Sequence, residues 1–271
     1  MKVLYFGNKE NEKIILVHGF QAPYQMWQAY IDYYKNDYCV VVPILPGHGK
    51  DSEEFVSFED AVKEFEEYYI ENFGEDVFAV YAISMGGVFA TTLFSSGRLN
   101  IQKFIVESSP LLPFGKFIAF LAKKQYLAIA KKMQARNPKL ISKLAVSIQD
   151  PSLYDEFLNV IDNMSENSIK NYIDSLLNYR FPTDIDAKGT EMYYYYGGAK
   201  EEIPFKFSAK YIKKHYPQTN TFCIEGKKHC EGVIFEANEK ILLLNSILGY
   251  KGPTKVGSFL IYTCKLIFTM L

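Results

Sequence analysis

One serine in this chain stands in a setting that would make it reactive. The stretch Val80-Tyr81-Ala82-Ile83-Ser84-Met85-Gly86-Gly87 closes an apolar run, Val77 to Ile83, and opens directly onto a helical pattern. It reads A-x-S-x-G, one residue away from the G-x-S-x-G pattern in which a serine sits on a sharp strand-to-helix bend. On such a bend the hydroxyl points outward, and the N-terminus of the following helix sets backbone N–H groups beside it. The small residues have a steric purpose, because the tight turn presses Ala82 and Gly86 against neighbouring backbone. Ser84 is therefore either a nucleophile or the N-cap of a helix whose glycines permit close packing. The partners available elsewhere in the chain favour the nucleophile.

Upstream, Lys13 to Val17 is a short apolar strand that ends in His18-Gly19-Phe20. A loop there would supply one backbone donor to an oxyanion, the N–H of Phe20, with the N–H of Met85 as the other. The His18 side chain is expected to hydrogen-bond backbone and to stay off the substrate. Downstream, Phe222 to Glu225 reads as a strand, followed by the turn Gly226-Lys227-Lys228 and then His229. His229 is the expected general base, since it alone among four histidines follows a strand end and a glycine turn late in the chain. His48 lies in the loop Pro46-Gly47-His48-Gly49, and His215 sits among Lys213, Lys214 and Tyr216 on a solvent face. The third member should be a carboxylate between serine and histidine, again at a strand end. Met192 to Tyr196 reads as a strand, and Glu201 and Glu202 follow its turn. Glu201 is the expected acid, with Glu202 taking the role if the turn runs one residue longer. Glu107, just after the strand Phe104 to Val106, is an alternative, and Asp184 and Asp186 are further candidates; each is otherwise a solvated loop charge.

Taken together these residues resemble an α/β-hydrolase with a helical lid, nearest to the monoacylglycerol-lipase and carboxylesterase-like members. Four patterns carry the resemblance: His18-Gly19-Phe20, Pro46-Gly47-His48-Gly49, Ala82-x-Ser84-x-Gly86-Gly87 and Gly226-x-x-His229. It spans residues 2 to 250, and the family order of serine, acid, histidine is met by Ser84, Glu201 and His229. There are two departures: Ala82 stands at the first position of the serine turn, and a glutamate replaces the usual aspartate. The resemblance implies a mostly parallel α/β-hydrolase sheet with helices on both faces and an inserted helical lid. It also implies two-step acyl transfer on a small, fairly apolar carboxylic ester or thioester, through an acyl-enzyme and with no metal or organic cofactor. The alternatives are a slow or non-catalytic ligand-binding sensor on the same scaffold, and an acyltransferase or proline aminopeptidase with the same three residues.

Composition is compatible with this. The chain has 271 residues, 48% of them hydrophobic, and a formal net charge of -1, which gives no basic arm or acidic tail to suggest a nucleic-acid partner. A chain of this size buries roughly 75% of its unfolded surface and needs no covalent staples. Four cysteines without C-x-x-C spacing fit a reduced, cytoplasmic protein, with Cys230 a bystander beside His229. The apolar run at Val3 to Phe6 is shorter than a signal peptide requires. Gly47-His48-Gly49-Lys50 is not a phosphate loop, because position 44 is Ile44 and not glycine.

Strand and helix patterns alternate along the chain, as in a parallel sheet covered on both faces. Tyr38 to Leu45 is nearly continuous apolar, as befits a strand buried on both sides. Ser57 to Asp60 reads as a capping box opening a helix with Phe58, Val62, Phe65 and Tyr69 on one face, ended at Gly74. Ile234, Ala237, Ile241, Leu244 and Leu248 mark one last long helix closed by Gly249. Residues 1–110 and 184–250 form the expected core and 111–183 the helical lid, whose apolar residues either pack onto the sheet or wall a pocket over Ser84. Residues 251–271 end the chain in an apolar tail, Ser258 to Leu271, too short for the ~20 residues of a bilayer span; packing back on the domain is the first expectation, with contact to a membrane or partner, or poor order, as alternatives.

Overall fold

The computed structural model describes residues 1–148, 151–187 and 189–251. Seven strands build one sheet: β1 (Lys2–Phe6), β2 (Lys13–Val17), β3 (Cys39–Ile44), β4 (Asp76–Ile83), β5 (Asn100–Glu107), β6 (Glu191–Gly197) and β7 (Asn220–Ile224). Their order across the sheet is β1-β3-β2-β4-β5-β6-β7, with β1 antiparallel to β3 and every other pair parallel. The helices are α1 (Gln28–Tyr34), α2 (Phe58–Phe73), α3 (Met85–Ser96), α4 (Lys116–Gln134), α5 (Pro138–Ser147), α6 (Pro151–Asn163), α7 (Glu166–Asn178), α8 (Ile203–His215), α9 (Glu231–Phe235) and α10 (Ala237–Leu248).

Side chains alternate between the faces of a strand, and β2 shows the result directly. Ile15 and Val17 join Phe65 and Tyr69 of α2 and Val88 and Phe89 of α3 in one core layer. Ile14 and Leu16 join Tyr30, Ile31 and Tyr34 of α1 and Ile241, Leu244 and Leu248 of α10 in the other. Both faces are covered, so the central strands are apolar throughout. Each such aliphatic side chain, fully buried, stabilises the fold by about 1.5–3 kcal/mol relative to exposure.

The N-cap half of the expected capping box forms at α2, while Asp60 Oδ2 accepts from the Ser57 hydroxyl at 2.6 Å and not from the Ser57 N–H. Ser57 accepts a hydrogen bond from the Asp60 N–H, and Gly74 ends the helix at φ 79°. The expected single last helix is instead two. Glu236 leaves the helical region at φ -128°, ψ 39°, and its carboxylate is tied back to Lys227 before α10 begins. Strand β1 and helix α8 flank the core at its margins. β1 is a half-exposed edge strand. In α8, Ile203 and Phe207 are exposed apolar residues that blur its stripe.

Four helices, α4 to α7, lie between β5 and β6. Phe181 N–H donates to the Leu111 carbonyl at 3.1 Å and Phe114 N–H to the Leu177 carbonyl at 3.0 Å, so the insertion leaves and rejoins the core at one place. Ile169, Tyr172, Ile173 and Leu177 of α7 are buried against the core. Phe117, Phe120 and Leu121 of α4 are not: they are 74%, 65% and 50% exposed. The apolar tail expected from Ser258 to Leu271 lies outside the described residues. Among the described residues no helix is long and apolar enough to cross a membrane.

Candidate active site

Ser84 is the single residue between the end of β4 and the start of α3. Its backbone is held at φ 50°, ψ -121°, a conformation that costs a non-glycine residue about 1–3 kcal/mol. Three contacts impose it. Ser84 N–H donates to the Glu107 carbonyl at 2.8 Å, and the Ser84 carbonyl accepts from Gly87 N–H at 3.1 Å and from Ser109 Oγ at 2.6 Å. The glycines behind it are obligatory on steric grounds. A Cβ on Gly86 would collide with the carbonyl oxygens of His18 and Val17, and one on Gly87 with the Ser109 side chain.

The loop after β7 brings His229 to this serine. His229 Nε2 lies 2.8 Å from Ser84 Oγ, and His229 Nδ1 lies 2.8 Å from Glu202 Oε1. With a carboxylate against Nδ1, that nitrogen carries the proton, and Nε2 is left to accept from the serine hydroxyl. The Phe205 ring lies 4.9 Å from the imidazole, tilted by 31°. Burial acts to lower the His229 pKa; the adjacent Cys230 and the Glu202 carboxylate act to raise it, and the net direction is upward.

Glu201 does not make this contact; the expected acid is corrected to its neighbour. Residues 200–202 form a 3₁₀ turn, in which consecutive side chains point about 120° apart. Only one of the two glutamates can then face the histidine. Glu202 does, with its side chain fully buried, while Glu201 is exposed. Glu202 Oε2 also accepts from Gly197 N–H at 3.0 Å and from Ser108 Oγ at 2.5 Å. Burial acts to raise the Glu202 pKa, but the hydrogen bonds from His229, Ser108 and Gly197 outweigh it and the shift is downward. The carboxylate is thereby kept ionised.

Glu107, the alternative at the end of β5, is buried and already engaged. Its Oε2 accepts from Lys240 Nζ at 2.8 Å and from Tyr81 OH at 2.7 Å. Asp184 and Asp186 are exposed in the segment before β6. His215 lies on the last turn of α8, at the opposite end of that helix from Glu202, with its ring against Tyr211 at 4.7 Å.

The loop after β2 passes over the serine, where a Cβ on Gly19 would stand 3.6 Å from Ser84 Cβ. Two buried histidines fasten it. His18 Nε2 accepts from Leu45 N–H at 3.2 Å, and its Nδ1 meets the Gly19 carbonyl at 2.9 Å. His48 Nε2 accepts from Gln21 N–H at 3.0 Å, and its Nδ1 faces the Pro46 carbonyl at 3.3 Å. Both rings are neutral, because burial lowers the His18 pKa to about 4 and pushes that of His48 well below its ordinary value. The loop so held carries the Phe20 N–H, and Met85, as the first residue of α3, keeps an N–H that no helical carbonyl takes.

Ser108, Ser109 and Gly197 were not singled out in the sequence. Their signal was positional: all three stand where a strand ends, the same rule that located Ser84 and His229.

The model of the alpha/beta hydrolase family matches residues 14–185, well over half of the chain. A search of curated proteins found no match. Among solved structures, an alpha/beta hydrolase family protein from Desulfitobacterium hafniense superposes with a TM-score of 0.72 at 18% identity, over 91% of this chain and 100% of its own. A structure from a study of carboxylesterases of the thaumarchaeon Nitrososphaera gargenis gives 0.72 at 15%, over 92% and 93%. A thermophilic esterase from Thermogutta terrifontis gives 0.69 at 15%, over 92% and 93%. At these identities the structures speak for the fold, and the family model adds the ancestry: this chain belongs to the alpha/beta hydrolase family.

Proposed function

We propose that this protein is a serine hydrolase that cleaves a carboxylic ester of a small, fairly apolar substrate. The observation that carries this reading is the continuous hydrogen-bonded line from Ser84 Oγ through His229 to Glu202, with 2.8 Å on each side of the imidazole. His229 Nε2 takes the hydroxyl proton as Ser84 Oγ bonds to the ester carbonyl carbon. The negative charge that develops on the carbonyl oxygen is met by the N–H groups of Phe20 and Met85. Glu202 holds the imidazole in the productive tautomer and stabilises its protonated form without taking the proton. Collapse of the tetrahedral species returns that proton to the departing alcohol and leaves an acyl group on Ser84. Water then enters, gives its proton to His229 and attacks the acyl carbon; the proton passes back to Ser84 Oγ, and the acid leaves.

The esterases among the structural neighbours support an ester as the substrate class, and Phe205 and Phe20 supply apolar walls near the serine. Labelling with a fluorophosphonate tests the nucleophile. The expected result is one adduct per chain, on Ser84, abolished in Ser84→Ala, together with turnover of p-nitrophenyl esters that falls by about 10⁴ or more in that variant. An unlabelled serine in folded protein would make this a binding protein on a hydrolase scaffold. Preference for a prolyl amide, or for an added alcohol over water as acceptor, would move it to the peptidase or acyltransferase branch.

A further inference from the structure

Between Glu107 and Asp150 the chain carries eight basic side chains and not one acidic. The whole chain stands at -1, so everything outside that stretch sums to -9. The positive charge is concentrated on α4 and α5, at one side of the insertion. Three of the eight are answered within the fold: Lys123 pairs with Asp174, Lys131 with Glu166 and Arg136 with Asp162. Lys124, Lys132, Lys139 and Lys143 are exposed, and among the described residues no acidic group lies within ion-pair distance of them.

Three of the five large exposed apolar residues of α4 share a face with two of these lysines; Tyr126 and Ile129 lie off it. At 3.6 residues per turn, Phe117, Phe120, Leu121, Lys124 and Lys132 fall within an arc of about 120°. Along the axis, Lys124 stands about 6 Å behind Phe120 and Lys132 about 18 Å behind it. The helix therefore presents an apolar tip followed by cations on the same side. A nucleic acid would answer the lysines alone. Three large apolar side chains at 74%, 65% and 50% exposure need a partner that supplies hydrocarbon as well as negative charge. A headgroup layer over acyl chains supplies both, and interfacial helices sink about 5–10 Å into it, the depth of this tip.

We infer that this face of α4 docks on an anionic lipid surface, with Phe117, Phe120 and Leu121 set below the headgroups and Lys124 and Lys132 against the phosphates. The docking does not depend on the hydrolase reading, since it is measured as binding without turnover.

Co-sedimentation of the full chain with phosphatidylcholine vesicles, with and without about one third phosphatidylserine, tests it. The expected result is binding about tenfold or more tighter to the anionic vesicles, weakening as salt is added. Phe117→Ser with Phe120→Ser, and separately Lys124→Glu with Lys132→Glu, should each lower that binding about tenfold while the melting temperature stays put. The inference is overturned if the protein ignores vesicles or binds neutral and anionic ones alike. It is equally overturned if both variants bind as the parent does, which would put the contact elsewhere in the chain. Loss in the lysine variant alone would also sink it, leaving a site for a polyanion rather than for lipid.

Discussion

Ser108 and Glu202 are separated by 94 residues, yet the Ser108 hydroxyl donates to Glu202 Oε2 at 2.5 Å. Ser108 follows Glu107, whose carbonyl accepts the Ser84 N–H at 2.8 Å, and precedes Ser109, whose hydroxyl holds the Ser84 carbonyl at 2.6 Å. Three consecutive residues at the end of β5 thus grip Ser84 on one side and Glu202 on the other. Relative placement of Ser84 and Glu202 is set by one strand end and does not depend on the longer loops.

The two adjacent glutamates should behave very differently. Glu202→Gln offers His229 Nδ1 an amide in place of a carboxylate and should reduce kcat by about 10⁴, as loss of the triad acid's charge does elsewhere. Glu201→Gln, exposed in the same turn, should stay close to the parent. Ser108→Ala removes one charge-assisted bond of about 1.5–3 kcal/mol and should lower kcat with little change in KM. Steady-state kinetics on a p-nitrophenyl ester rank all three, and a Glu201→Gln enzyme slower than Glu202→Gln would reverse the assignment.

In the proposed mechanism His229 must be neutral to accept the serine proton, so activity should fall as pH drops through its pKa. That pKa is displaced upward, and the acid limb of kcat/KM should therefore be centred above the ordinary 6.5 of histidine. Glu202→Gln removes one of the groups that raises it and should move the limb to lower pH. A limb that stayed in place in Glu202→Gln would show that the carboxylate does not govern the titration.

Lys240 and Glu107 form an ion pair with side chains only 6% and 5% exposed, reinforced by Tyr81 OH. Lys240→Met would leave the carboxylate buried without its counter-charge and should destabilise the fold by about 3–5 kcal/mol in urea titration. Adding Glu107→Gln should restore most of that loss. A double variant no better than the single one would mean that the lysine acts through packing instead.

Acid should loosen the loop that carries Phe20. His18 binds a proton near 6.5 when unfolded but resists until about 4 in the folded protein. Over that window the unfolded chain holds more protons, so stability present above pH 6.5 is lost as pH falls, by roughly 3 kcal/mol at the lower end. His18→Gln, compared with the parent by denaturant titration at several pH values, should show a flatter decline there. Parallel curves would exclude His18 as a source.

Ser84 and His229 were legible in the sequence because their signals are local: an apolar strand, then small residues or a glycine turn, then the side chain that meets the other. The choice between Glu201 and Glu202 was not, because it depends on the phase of a three-residue 3₁₀ turn that no periodicity announces. Helix α2 was legible to its caps, since Ser57, Asp60 and Gly74 each act within a few residues. The partner of Glu107 was hidden because Lys240 lies 133 residues away and looks like any other helix lysine. The apolar run in α4 suggested burial, and exposure of Phe117 and Phe120 could be learned only from the way α4 lies on α7.

The hydrogen bond from Phe181 to Leu111 turns everything between those residues into a detour with a single doorway. The parallel register of β5 and β6, Lys103 beside Glu191 through Glu107 beside Tyr195, is closed without help from it. The hydrogen bonds from Glu107, Ser108 and Ser109 that grip Ser84 and Glu202 are made by no residue between Leu111 and Phe181, so a replacement grafted there does not remove them. The grip on Ser84 and Glu202 and the inserted helices α4 to α7 are thus written in separate stretches of the chain.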